Sequence, residues 1–114
     1  MADINGDKLR GHLETMVLSV LDQGEAHGLE VIRRLEEQGC GLLKLKEGTH
    51  YPALYRLQDA GKIVIAREEK PASGRGAPRR VYKLSQKGKR HLAKGREEWV
   101  QFSHLMGSII GAPA

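Results

Sequence analysis

A proline six residues into an otherwise helix-forming stretch sets the tightest limit on this chain. The stretch is EGTHYPALYRLQDAG, residues 47–61, with the proline at Pro52. Proline has no N–H, and only the first few N–H groups of a helix lack internal partners. The spacing therefore predicts a helix that starts near Gly48 or Thr49, with Thr49 as its cap and Gly61 as its stop. Leu54 and Leu57, flanked by Ala53 and Ala60, are expected to face a core. His50, Tyr51, Tyr55, Arg56 and Asp59 are left for the surface or its edge. Of the two tyrosines, Tyr55 is expected to be partly buried and Tyr51 more open.

The segment beyond Gly61 restricts the fold further. Ile63-Val64-Ile65-Ala66 is a β-branched run, and Val81-Tyr82-Lys83-Leu84 alternates apolar with polar residues. Between them, Pro71, Gly74, Gly76 and Pro78 exclude regular structure from Glu68 to Arg80. The pattern predicts a two-stranded hairpin with a long basic tip. A helix that ends in glycine and runs into a basic hairpin is the order of elements in a winged helix-turn-helix, an α+β fold that is mostly α. Two helices should precede it. Residues 8–23 carry Leu9, Leu13, Met16, Val17, Val20 and Leu21 at helical spacing, with Leu18 off that stripe, which suggests a second buried face meeting another subunit. After Gly24, the second helix is expected to turn Leu29, Val31, Ile32 and Leu35 inward and to close at Gly39-Cys40-Gly41 with a left-handed glycine cap. Cys40 reads as a small buried filler. Leu42, Leu43 and Leu45 form a short apolar approach to the third helix.

Ser85 is expected to cap a last helix running to about Met106. Its apolar residues Leu92, Trp99, Phe102, Met106 and Ile109 follow heptad spacing, with Gly95 in the remaining seam position, so the helix is expected to pair with a helix of another subunit. The organisation predicted is a winged-helix unit over residues 1–85, a dimerisation helix over 86–106 in the same compact unit, and a flexible tail over 107–114.

Composition bounds the function. The 114 residues carry a net charge of +5, with 39% hydrophobic and 29% charged residues, as expected of one folded domain. The charge is uneven. Lys62 to Arg96 holds twelve basic and two acidic residues, a surplus of ten, so the remainder is negative by five. Such a block suits a polyanionic partner bound through counterion release; a lysine-rich solvated face reads the same way on charge alone. There is no run of about 18 apolar residues to suggest a membrane span. A polar N-terminus and a single cysteine point to a cytoplasmic protein.

Catalytic and metal signatures are missing from the sequence. His12, His27, His50, His91 and His104 never approach one another or a carboxylate at ligand spacing, and HExxH and CxxC do not occur. Gly74-Arg75-Gly76 joins two strands rather than opening a helix, which suits a nucleic-acid backbone better than a nucleotide. The expectation is a non-enzyme without cofactor or metal. Its double-stranded DNA contacts would come from Lys46, Thr49, His50, Tyr51, Pro52 and Arg56 at the third helix, and from Arg75, Arg79 and Arg80 in the hairpin. A winged-helix module binding an acidic protein, or nucleic acid without sequence preference, is the alternative.

The chain resembles the PadR family of bacterial transcriptional regulators in the stretches AHGLEV (26–31), EGTHYPALYRL (47–57), DAGKI (59–63) and RRVYKLSQKG (79–88). It departs from the family's usual residues at Leu29, His50 and Val81, where tyrosine, leucine and tyrosine are common. The resemblance implies a homodimer held by the first and last helices that binds an inverted-repeat operator, usually as a repressor. Its short single C-terminal helix places it among the compact members, some of which bind flat aromatic effectors against a tryptophan at the dimer centre. Trp99, with Met16 and Phe102, matches that place; Trp99 also reads as a plain dimer-core anchor.

Overall fold

The computed structural model describes residues 12–41, 43, 45 and 47–111. Within these residues, four helices and a three-stranded antiparallel sheet follow one another as α1 (Leu13–Gln23), β1 (Ala26–His27), α2 (Gly28–Gln38), α3 (Glu47–Asp59), β2 (Ile63–Glu69), β3 (Arg79–Leu84) and α4 (Gln86–Ile110). The sheet order is β1-β3-β2. Ala26 stands opposite Tyr82 and Ile63 opposite Leu84, with a bulge between Ile65 and Arg67. This is the expected α+β winged helix. The two-residue β1 is an addition to the expected hairpin, too short to show any periodicity of its own. The strands also reach further than expected, which shortens the hairpin loop to residues 70–78.

The core lies where the helices converge on the sheet. Val17, Leu18 and Val20 of α1, Val31 and Leu35 of α2, Ala53, Leu54 and Leu57 of α3, Ile63 of β2 and Leu92 of α4 are all buried in it. Leu18 is thus used by the chain's own core, contrary to the expectation that this face of α1 waits for another subunit. Leu29 corrects the inward set of α2: it is 46% exposed, while Val31, Ile32 and Leu35 are buried. Leu43 is buried and Leu45 packs against the core, in line with the apolar approach.

Helix ends account for most other differences. α2 is capped by His27, whose Nδ1 accepts the Glu30 N–H. At its far end Gly39 has ordinary φ, and the left-handed residues are Cys40 (φ +53°) and Gly41 (φ +80°). Cys40 is exposed rather than a buried filler, because a residue just past a helix end in this conformation turns out of the bundle. α3 begins at Glu47, so Thr49 lies inside the first turn and is not its cap, and Pro52 falls in the second turn at the cost of one internal hydrogen bond. Ser85 caps α4 as expected, its Oγ accepting the Gly88 N–H. That helix continues through Ile110, past Met106 and into the segment expected to be a tail.

The start of α4 is bolted to the end of α3. The Lys62 carbonyl accepts the Ser85 N–H, and the Ser85 hydroxyl donates to the Gly61 carbonyl. A Cβ at Gly88 would collide with the Lys62 carbonyl oxygen, so only glycine fits there. Farther along, Gly95 lies against Thr15 and Trp99 meets His12 edge-on, so α4 runs antiparallel to α1.

Truncating Leu54, fully buried at the junction of these elements, should cost about 2–5 kcal/mol of unfolding free energy as Leu54→Ala. Leu29→Ala should stay within about 0.5 kcal/mol. Urea denaturation of both variants checks the corrected inward face.

Candidate nucleic-acid interface

The expected reading helix, α3, packs against α1 and β2 and makes a close, directional contact with the start of α2. The Tyr51 ring lies so close to Gly28 that a Cβ there would sit 2.7 Å from the tyrosine Cε1. His50, beside it, donates from Nε2 to the Gly28 carbonyl at 3.1 Å. Because a carbonyl can only accept, this bond fixes the proton on Nε2. The two rings meet edge-on with centroids 5.5 Å apart.

His50 is therefore the main correction to the expected contact set. The sequence pattern assigns it to the surface and to DNA, and it is 0% exposed. Burial holds its pKa below the ordinary 6.5, a shift only partly offset by the Gly28 bond. Counting polar residues as outward fails where one of them finds a backbone acceptor 22 positions away. The tyrosines are also reversed. Tyr51 is half-buried against the core and Tyr55 is 52% exposed, because Tyr51 is the one that fills the space beside Gly28.

The remaining expected contacts divide between two surfaces. Pro52 and Arg56 are exposed on α3. Arg56 bends toward α1, its Nε donating to Glu14 at 3.1 Å, so Glu14 is a partner that the sequence did not suggest. Such an exposed pair contributes little to stability and can be exchanged for a phosphate. Arg75 lies in the hairpin loop, and Arg79 and Arg80 open β3, all exposed; Arg80 Nε stands 3.9 Å from Glu68. Arg67, near the loop end of β2, hydrogen-bonds Glu69 and Glu25 through its guanidinium and is held more firmly protonated by both. Lys46 and the Thr49 side chain lie outside the described residues. The α3 residues and the hairpin arginines are separate projections from one scaffold, on different elements of the winged helix.

The residues expected to meet an effector sit elsewhere. Trp99 is 56% exposed, with Phe102 at 6.3 Å between ring centroids and His12 at 6.1 Å. Met16 is half-buried against the core on α1. The heptad seam divides here: Leu92 and Gly95 pack within the chain, and the seam residues Trp99, Phe102, Met106 and Ile109 are exposed. Among the described residues no group of His, Cys, Asp and Glu could hold a metal ion, and no helix is long and apolar enough to cross a membrane.

Residues 17–94 match the model of the transcriptional regulator PadR-like family. The chain belongs to that family. The Escherichia coli transcriptional regulator YqjI is 30% identical over 88 residues, which cover 77% of this chain and 39% of that protein, so the chain spans well under half of its curated relative. A transcriptional regulator from Clostridium thermocellum superposes with a TM-score of 0.81 at 25% identity, covering 92% of this chain and 99% of that one. A PadR family transcription regulator from Clostridium difficile does so with a TM-score of 0.75 at 28% identity, covering 89% and 100%. PadR-like proteins are non-enzymatic DNA-binding regulators of transcription.

Gly28→Ala should destabilise the chain by about 1–3 kcal/mol, the usual range for forcing an extra carbon into a packed contact. Gly48→Ala, in the same helix as Tyr51 but with open space around it, should instead gain up to about 1 kcal/mol from helix propensity. Thermal melts of the two variants check that the α2–α3 approach, and not glycine content, is what matters.

Proposed function

We propose that this PadR-like protein is a homodimeric repressor of an inverted-repeat operator, in which α3 reads and the hairpin holds. The observation that carries the reading is the pairing of an exposed α3 face with a hairpin whose arginines are all exposed, on a chain whose positive surplus is concentrated from Lys62 to Arg96. Arg56 and the exposed rim of Tyr51 are the proposed groove contacts, with Lys46 and Thr49 beside them; Arg75, Arg79 and Arg80 are proposed for phosphates or the adjacent minor groove. His50 is removed from this contact set. Dimerisation is proposed through α4. An apolar row of Trp99, Phe102, Met106 and Ile109 left open on one chain is best explained by a second helix covering it. The contribution expected from α1 shrinks to its Met16 and His12 end, since Leu18 is already buried.

Release by a planar aromatic ligand is the finer part of the proposal. Trp99, Phe102 and His12 cluster at the point where the two chains would meet, which suits stacking of such a ligand. By linkage, a ligand that weakens DNA binding must bind less well to the DNA complex. Quenching of the single tryptophan by planar compounds, together with loss of DNA affinity, is the expected result; absence of both leaves Trp99 as a packing residue.

The direct test is footprinting of the DNA flanking the coding region, where an inverted repeat should be protected. Neutralising Arg75, Arg79 and Arg80 together should flatten the dependence of log affinity on log salt by roughly one for each phosphate no longer neutralised. An unchanged slope would remove the hairpin from the interface. Phe102→Asp combined with Ile109→Asp should convert the dimer to monomers in sedimentation and abolish protection of both half-sites together; a dimer surviving those charges would place the interface elsewhere.

A further inference from the structure

We propose that His50 is a positioning residue for DNA recognition: its neutral imidazole latches α3 to the first residue of α2, and protonation of that imidazole releases the latch. The latch rests on the reading that α3 meets DNA, and adds to it a device within the protein that sets how α3 is presented.

The Nε2–H of His50 donates to the Gly28 carbonyl, while Nδ1 is buried without a hydrogen-bond partner among the described residues. In the neutral form Nδ1 is a bare lone pair, whose burial costs little compared with that of an unpaired donor or charge. A second proton would sit on Nδ1, facing no acceptor, in a side chain fully removed from water. The closed arrangement therefore excludes the imidazolium, and acid favours any arrangement in which α3 has moved away from Gly28 far enough to hydrate the ring.

The ring contact and the hydrogen bond of the imidazole come from Tyr51 on its own helix and from Gly28 at the start of α2. On α3 the neighbour is Tyr51, whose ring is wedged against Gly28 and so moves with the same contact. At the start of α2 the titratable side chains are His27 and Glu30. His27 is occupied in capping the helix, and the Glu30 carboxylate is bound by Arg33 and Arg34 and lowered to about 2, chiefly by the Arg33 hydrogen bond. Neither is placed to accept from Nδ1 in the closed state. Burial depresses the folded-state pKa of His50 below 6.5. Stability is thus unaffected well above 6.5 and falls as pH drops below it, because the opened or unfolded chain takes up the proton first. DNA affinity should follow the same direction. That sign is diagnostic, since adding positive charge to a DNA-binding protein by protonating exposed histidines strengthens attraction to phosphate.

The test uses the full chain, its His50→Gln and His50→Leu variants, and a duplex selected from a random pool by the wild-type protein at about pH 7.5, a unit above the ordinary histidine pKa. Glutamine can donate to Gly28 without titrating; leucine can do neither. At that pH the glutamine variant should bind within about threefold of wild type, and the leucine variant should bind roughly fivefold more weakly, the change expected of one net hydrogen bond. On lowering the pH to about 5.5 the wild type should lose affinity relative to His50→Gln, approaching about tenfold per pH unit once the opened form dominates. Parallel pH profiles, or a leucine variant equal to wild type, would overturn the latch. Nitrogen NMR of the free protein gives a readout independent of DNA. An Nε2–H tautomer that resists protonation below the ordinary 6.5 is expected; an Nδ1–H tautomer or an ordinary titration would sink the proposal. Failure of the wild type to select any duplex would count against DNA reading by α3, while the NMR result would still decide whether the latch exists.

Discussion

The contact on which the presentation of α3 depends is its meeting with α2 at Gly28. A tyrosine ring occupies the space that any other residue's Cβ would fill, and the adjacent histidine hydrogen-bonds the same residue's carbonyl. Two neighbouring side chains of one helix thereby grip a single residue of another. The grip adds a direction to the crossing that the leucines behind it do not supply, since apolar contacts are non-directional. Hydrogen bonds and ring edges do not slide. Pro52, Tyr55 and Arg56 are presented to solvent by a helix seated in part by this contact.

At its other end α3 is fixed by backbone. Lys62 accepts from Ser85, and α4 passes so close at Gly88 that the Lys62 carbonyl leaves no room for a side chain. The hairpin leaves and returns between these points, and the Arg67 bridge to Glu25 and Glu69 ties β2 to the residue before β1. The proposed reading helix is thus clamped at both ends, while the hairpin tip between residues 70 and 78 is rich in glycine and proline. In the proposed complex a rigid element for base edges and a looser one for phosphates would be a sensible division, because phosphates are reached from many geometries and base edges from few.

Much of this is legible in the sequence, and the reasons for the exceptions are physical. The hairpin, the Ser85 cap and the inward Leu54 and Leu57 are readable because each rests on local periodicity or on turn chemistry. His50 is not. Patterning assigns a polar residue outward unless a partner is known, and its partner lies 22 residues away on another helix. Leu29 misleads in the opposite sense, since an apolar residue in a helix's first turn can sit beyond the edge of the core, and single exposed leucines are ordinary. Leu18 looks like a spare face on α1 only because the reach of α3 and α4 around that helix cannot be counted from one helix alone. The heptad row on α4 is real, but spacing does not say which chain covers it, and the answer divides along the helix.

That division gives α4 two physical roles. Its first half is part of the domain, with Leu92 in the core and Gly95 against Thr15. Its second half extends beyond the domain, and about ten residues at roughly 1.5 Å each give an arm of about 15 Å whose apolar side is open. Within the proposed dimer, that arm would be the interface, and the same continuous helix would lead back to the Ser85–Lys62 junction at the end of α3. The path from interface to reading helix then contains no flexible loop, only helix, a backbone hydrogen bond and a glycine approach too tight for a side chain. A small rotation of paired arms would be carried to both reading helices with little loss. A ligand stacked on Trp99 and a proton on His50 would act at opposite ends of that path, the first on where the two α3 helices stand relative to each other and the second on how each is seated against its own α2.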